Sequence, residues 1–490
     1  MSDHTICIIG VDIGTSSTKS VLREANGGVR TVFQQSYTTQ HPQPGYSEQR
    51  PEDILEAVKN AIREAAKLAG NAPLAIAFSS AMHSIMAVNR DGVALTPFMI
   101  WADNRSESSA QALRSSSEGG EIYRQTGTPI HAMSPLCKIH WLREHQPALF
   151  MEAALFIGIK EYVFHHFFGT YIVDHSIASA TGLFNMHTLQ WSKTALAAAG
   201  VKAGQLSCPV PASYVISGLS PAMAAELEIP ANTPFVVGAS DGCLAQLGSG
   251  AMDEGHATLT IGTSGAVRMA GNRPLTDAHQ RLFTYLLTDN VYITGGASNN
   301  GGVVLQWLVR DFLQQPLTAL NGLVQEALAT SPGKLLCLPY LLGERAPIWN
   351  SAASAAFIGI QPQHTPAHFT RAVLEGICFA LYSIKTALQE TAGPVRKISV
   401  SGGFTNAPGW IQLLADIFGQ PMYLQQASDA SALGAVILAA EVLGLHITPM
   451  AIPEAEQVFY PDEIRHLQYE EKYQRFLQLY EQLASFMTAY

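Results

Sequence analysis

The sequence predicts an α/β protein built from two similar halves, and three observations carry that expectation. Apolar strands alternate with amphipathic helical stretches along the chain. Several strands run into glycine-rich loops, the usual place for a ligand in such folds. The tetrapeptide Ile13-Gly14-Thr15-Ser16 also returns unchanged as Ile261-Gly262-Thr263-Ser264, each time between an apolar strand and an extended segment. A chain of 490 residues exceeds what one hydrophobic core usually serves. Two large domains are therefore expected, 1–250 and 251–490, meeting in the GSGAMDEGH stretch.

Taken in order, residues 5–11 and 18–23 read as short strands around a tight turn, because both are rich in Ile, Val and Thr. Residues 50–70 read as an amphipathic helix: Pro51 opens it, Ile54, Leu55, Val58, Ile62 and Ala65 share one face, and Gly70 lies beyond its end. PLAIAFSSAMHSIMAV (73–88) follows as a buried strand, a loop and a second strand. TPFVVGASDG (233–242), HATLTIGTSGAVRMA (256–270) and RKISVSGGFTNAPGWIQLLADIFG (396–419) each begin with an apolar strand and end in a loop of small residues. The final stretch, FYPDEIRHLQYEEKYQRFLQLYEQLASFMTAY, reads as one aromatic-rich helix, too short for a separate peptide-binding domain.

Composition narrows the function classes. Hydrophobic residues make up 47% and charged residues 14%, against roughly 25% charged in an ordinary soluble domain. Buried interior is plentiful. The net charge of −10 argues against a general binder of nucleic acid or anionic membranes, though an anionic small ligand can still find a locally positive site. MSDHTICIIGVDIG has no basic leader, and SALGAVILAAEVLGL is too short to span a bilayer and is broken by Glu441. The six cysteines are scattered without a C-x-x-C pair, as in a reduced, cytoplasmic protein.

Two places suggest chemistry. In DIGTSSTK, Gly14 permits a tight turn, Thr15, Ser16 and Ser17 can offer hydroxyl and N–H groups to phosphate oxygens, and Lys19 adds a cation. This is no Walker loop, since GTSSTKS lacks the glycine before lysine and a strand follows it. One such turn is more often structural; two copies facing each other could hold a phosphate chain between domains. In VVGASDGCLAQLG, Asp241 follows an apolar strand among small residues that leave room for a substrate. The plainer reading is a helix-capping aspartate.

On these residues the chain resembles the FGGY carbohydrate kinases over nearly its whole length. Two long stretches carry the resemblance: MSPLCKIHWLREH (133–145), with Pro135, Lys138 and Trp141, and AAFIGIQPQHTPAHFTRAVLE (355–375), with Gly359, His368, Ala372 and Glu375. The resemblance implies two duplicated actin/Hsp70-like (ribonuclease H-like) ATPase domains with a cleft between them, and ATP and Mg²⁺ as cofactors. It implies that Asp12 holds the metal through water. Gly14, Thr15, Ser16, Ser17 and Lys19 would line the phosphates from one domain, Gly262 and Thr263 from the other, and Gly402 and Gly403 would lie over the adenosine. Relatives often carry Ser or Asn where Ala407 falls, so that side-chain contact to the nucleotide is a departure. Asp241 would be the base that takes the proton of the attacking sugar hydroxyl, with Met82, His83, Trp101, Asp103 and Arg105 around the substrate.

Within the family, SSAMHS, IWADNRSE, TGTPIH, SPLCKI, IGIKEY, GASDG and PYLLGERAPIWN resemble the gluconate-phosphorylating members. That implies transfer of the γ-phosphoryl of ATP to the C6 hydroxyl of gluconate. A ketopentose or other polyol is the alternative substrate, and an ATP-binding sugar sensor or chaperone-like ATPase the alternative without this chemistry. A sugar acid needs a cation at the end remote from the phosphoryl. Arg105, Lys138 and Lys160 are available, the sequence does not choose among them, and the two lysines read equally well as ion-paired structural residues. The partners implied are a small sugar acid or polyol, with no nucleic acid and no membrane; a homodimer is left open.

Overall fold

The computed structural model describes residues 6–24, 28–70, 74–330, 333–425, 429–445 and 457–487. Its first half contains β1 (Cys7–Ile13), β2 (Ser17–Arg23), β3 (Val29–Ser36), α1 (Pro51–Ala69), β4 (Leu74–Ser80), β5 (Val215–Ile216), β6 (Phe235–Ser240) and α2 (Asp241–Gly248). The sheet order is β5-β6-β4-β1-β2-β3. The second half contains β7 (His256–Ile261), β8 (Gly265–Gly271), β9 (Phe283–Thr288), β10 (Val291–Ser298), α3 (Pro366–Ala392), β11 (Lys397–Ser401), β12 (Met422–Leu424), α4 (Ala430–Val442) and β13 (Gln457–Phe459). Its order is β9-β10-β8-β7-β11-β12-β13.

The repeated tetrapeptide marks a repeated topology. β1 pairs antiparallel with β2 and parallel with β4; β7 pairs antiparallel with β8 and parallel with β11. Thus β3-β2-β1-β4-β6 in one half has the same order as β10-β8-β7-β11-β12 in the other. The first strand runs two residues further than expected from its apolar run. Asp12 and Ile13 pair with Lys19 and Thr18, so Asp12 lies within the ladder and faces Lys19 across it.

β1 is buried on both faces, which is why it reads as a continuous apolar run. Ile9, Val11 and Ile13 pack with Ile54, Val58 and Ile62 of α1. Ile8 on the opposite face joins a core that continues into the second half through Ala432, Ala435 and Val436 of α4. A Cβ added at Gly10 would stand 2.5 Å from Ala432 O, so α4 lies directly on this strand. The halves are therefore joined by a shared core as well as by the crossover between α2 and β7.

α2 and α4 meet at the centre of that core through glycines. A Cβ at Gly248 would stand 1.9 Å from Ala430 O, and one at Gly434 would stand 2.0 Å from Leu244 O. Backbone cannot yield to such contacts. An exposed helical Gly→Ala change usually gains about 1 kcal/mol; Gly434→Ala should instead lose about 1–3 kcal/mol or more through overpacking. Urea denaturation of the variant measures the sign, and a gain in stability would contradict this packing.

Candidate active site

The sheet register sets the site. Asp12 of β1 is level with Ser79 of β4, and Ser80 of β4 is level with Ser240 of β6. Asp12 and Asp241 consequently stand at the carboxyl ends of parallel strands with one strand between them, where α/β folds present ligands. β6 reaches this level through a bulge between Val236 and Ala239. Gly238 in the bulge has φ +73°, and a Cβ there would stand 1.8 Å from Phe78 O. Only glycine fits, and the bend it allows delivers Asp241 to the cleft.

The two carboxylates feel each other. Burial, reinforced by the charge of Asp241, pushes the Asp12 carboxyl up to about 6, against partial relief from the Ser79 hydroxyl and Lys19. Ser79 Oγ donates to Asp12 Oδ1 at 2.7 Å. Burial also raises Asp241, with Arg268 the largest opposing influence. Asp241 is the first residue of α2 rather than its cap, which is Ser240, and its Oδ1 accepts the adjacent Gly242 N–H at 2.6 Å. Lys19 and Ser79 thus offset the burial of Asp12 only in part. Among the described residues no three His, Cys, Asp or Glu side chains gather as a metal-binding group. A hard cation here would need ligand oxygens from elsewhere, as Mg²⁺ commonly takes from phosphates.

The first turn is closed by Gly14 N–H donating to Ser17 O at 3.1 Å. Thr15 faces the cleft and its Oγ1 accepts Trp101 Nε1–H at 2.9 Å; Ser16 is exposed, and Ser17 is buried with its Oγ accepting from Gln34. Lys19 is already engaged, its Nζ lying 3.1 Å from Oδ1 of Asp429, just before α4. The second turn holds Gly262 and Thr263, which line a cavity of about 530 Å³ with Gly403, Asn406, Ala407 and Trp410. Gly402 lies behind Gly403: its φ is +108°, and a Cβ would stand 2.4 Å from Ile261 O. Ala407 reaches this cavity with only a methyl group, so the departure seen in the sequence falls on the cavity wall.

A second cavity, of about 210 Å³, lies between the halves and is lined by Thr15, Met82, His83, Trp101 and Asp241 from the first and Arg268, Tyr285 and Arg345 from the second. His83 carries a positive φ of 64°, an uncommon conformation for a non-glycine residue and one typical of functional sites. Its Nδ1–H donates to Ala180 O at 2.8 Å, so Nε2 is left to accept from the Tyr285 hydroxyl at 3.2 Å. Burial holds the ring neutral, its pKa lowered to about 3.

Asp103 and Arg105, expected beside the substrate, are not brought there. Arg105 forms a buried ion pair with Asp103 and Glu48 and stacks on the Tyr46 ring at 3.6 Å. Asp103 also accepts Ser47 N–H at 2.7 Å. These bonds fasten loops behind the cavity wall. Lys138 and Lys160 are likewise committed. Lys138 Nζ donates to His83 O, Ile100 O and Met133 O at 2.7–2.9 Å, and Lys160 pairs with Asp174. Sequence reading missed the cations that do face the cavity, Arg268 and Arg345. The first sits in the strand after the second IGTS copy and the second in GERAPIWN, and neither stretch marks its arginine as facing a cavity.

Two carboxylates, facing turns and a divided cleft make this a phosphoryl-transfer architecture, and comparison with known proteins agrees. The N-terminal domain of the FGGY family of carbohydrate kinases matches residues 7–248 and its C-terminal domain residues 257–442. The chain belongs to this family, whose members use ATP, generally with Mg²⁺. It is 40% identical over 447 residues to the gluconokinase of Bacillus subtilis (strain 168), covering 89% of this chain and 87% of that one. The crystal structure of gluconate kinase from Lactobacillus acidophilus superposes with a TM-score of 0.92 at 32% identity, covering 99% of each chain. Ligand-bound xylulose kinase from the same organism superposes at 0.91, also at 32% identity, covering 98% of each. Among the described residues no helix is long and apolar enough to cross a membrane.

The raised carboxyl of Asp12 gives a stability test. A group at about 6 in the fold and 3.8 in the free state binds its proton more tightly when folded. It therefore costs stability as pH rises through that window, up to about 3 kcal/mol by pH 7. In metal-free protein Asp12→Asn should raise unfolding free energy at pH 7–8 and give little gain near pH 4. Chemical denaturation with a chelator present at both pH values checks this.

Proposed function

We propose that this protein is an ATP-dependent gluconate kinase, transferring the γ-phosphoryl of ATP to the C6 hydroxyl of D-gluconate to give 6-phosphogluconate and ADP. The identity of 40% with a gluconokinase favours this substrate, and Asp241 at the head of the inter-half cavity carries the chemistry. Asp241 would accept the C6 hydroxyl proton as O6 bonds to the γ-phosphorus and the bond to the ADP oxygen breaks. Positioning and charge neutralisation supply most of such catalysis. Thr15 and its neighbours would hold the phosphates from one side and Gly262 and Thr263 from the other, with the nucleoside in the cavity beside Gly403. Asp12 would hold Mg²⁺, which when bound screens the phosphate charge. Met82, His83 and Trp101 would fix the polyol chain, and the buried, neutral His83 can exchange hydrogen bonds with hydroxyls without adding charge. ATP as co-substrate and the free cysteines fit a cytoplasmic enzyme.

A ketopentose kinase is the second reading, because the xylulose kinase structure superposes about as well as the gluconate kinase. Coupled ATP-consumption assays with gluconate and xylulose decide between them: the gluconate reading requires a higher kcat/KM for gluconate. In the same assay Asp241→Asn should lower kcat about 10²–10⁴-fold, the range for loss of a general base, with gluconate affinity changed much less. Near wild-type turnover would remove Asp241 from the mechanism.

A further inference from the structure

We propose that Arg345, with Arg268 beside it, forms the carboxylate-binding arm of this cavity and selects a sugar acid over a neutral sugar. The assignment rests on the gluconate reading and names the residues that would enforce it. The cations that the sequence suggested are occupied elsewhere: Arg105 by Asp103 and Glu48, Lys138 by three carbonyls and Lys160 by Asp174. Among the residues lining the cavity, the remaining charges are two guanidinium groups against the single carboxylate of Asp241. His83 and Tyr285 contribute none, because burial keeps both neutral. Behind this lining the buried Glu344 offsets part of the Arg345 charge, so selection depends on the donors that are free to receive a carboxylate.

Arg345 is built to receive it. The residue is only 8% exposed, and its Nε is buried without a hydrogen-bond partner, a costly state for a charged donor in the absence of a ligand. One terminal nitrogen donates to Ser298 O at 3.2 Å, and the guanidinium lies 4.7 Å over the Trp101 ring, which fixes its plane. The adjacent Glu344 favours the charge of Arg345 but gives the guanidinium no hydrogen bond. That carboxylate accepts from Ser298, Asn299, Asn300 and the Arg345 backbone N–H, and from none of the guanidinium nitrogens. Burial holds Arg345 down to about 10, with Arg268 adding to the effect; it is still charged at neutral pH. Arg268 reaches the cavity past Gly242, where a Cβ would come within 3.2 Å of its Nε. Among the described residues its guanidinium makes no ion pair or side-chain hydrogen bond. A planar fork with free donors suits a carboxylate better than a hydroxyl.

The test compares gluconate with glucitol, which keeps the carbon chain and replaces the carboxylate by CH₂OH. Both are measured against wild type, Arg345→Gln and Arg345→Lys, as kcat/KM and as dissociation constants with an unreactive ATP analogue. For gluconate, Arg345→Gln should lose about 30–100-fold, mostly in KM, the scale of a lost charge-assisted contact. For glucitol the change should stay within about threefold, so the preference for the acid collapses. Arg345→Lys should fall between, since it keeps the charge without the fork, and it carries the test if the glutamine variant does not fold. Equal losses on both ligands, or an undiminished gluconate preference in Arg345→Gln, would overturn the assignment. A wild-type enzyme that neither binds nor phosphorylates gluconate would overturn the gluconate reading itself and this assignment with it.

Discussion

Two carboxylates gathered at the ends of parallel strands, with one strand between them, are the constraint around which the rest of the site is organised. Burial, with the charge of Asp241 added to it, drives Asp12 towards its protonated form. The fold moderates this without removing it. Ser79 is set beside Asp12 by strand register. Lys19 stands across the ladder, with part of its charge drawn off by Asp429. What remains is a buried carboxyl whose charge the surrounding protein groups offset only in part. Complete neutralisation by protein groups would have removed the stability cost of the ionised Asp12.

Duplication explains where this charge sits and where it does not. Thr260 and Ser401 occupy in the second half the places of Asp12 and Ser79 in the first, and their hydroxyls lie 3.1 Å apart. The same register thus holds a carboxylate in one copy and an uncharged pair in the other. Relieved of the charge, the second half provides a cavity with apolar walls, lined by Phe404 and Trp410, and the two arginines that face the inter-half cavity. α2 and α4 join the copies through glycine contacts, which set the two unlike cavities side by side in one packed core.

Much of this was legible in the sequence. The IGTS repeat announced two equivalent turns, and the apolar runs before Asp12 and Asp241 announced strand ends, because strands covered on both faces have a strong compositional signature. The side-chain partners were not legible. Arg105 looked like a free cation in IWADNRSE, yet Glu48, fifty-seven positions away, takes its charge. Lys138 looked available, yet it spends its three N–H groups on carbonyls of three separate segments. Arg268 and Arg345 went unnoticed for the converse reason: nothing in a strand and a loop of the second half says that their side chains line a cavity shared with the first half. Residue type and period fix local structure, whereas the occupancy of a charge is settled by contacts distant in the chain.

The same reasoning accounts for the two stretches on which the family resemblance rests. Lys138 holds the carbonyl of His83 and so helps secure a backbone conformation that a histidine rarely adopts. Trp141 lies 5.6 Å from the guanidinium of Arg105. Glu375 gathers Arg371, Lys472 and Tyr469, tying α3 to the C-terminal helix Glu463–Met487. His368 closes the first turn of α3 onto Thr365. None of these side chains lines either cavity. They immobilise the elements that carry the site, and phosphoryl transfer depends on such positioning more than on the number of groups that touch the substrate. A signature of this kind identifies the scaffold and the reaction it supports. The charged side chains that line the inter-half cavity, Asp241, Arg268 and Arg345, lie outside both stretches, and which charges a cavity presents is legible only after every other charge has found its partner.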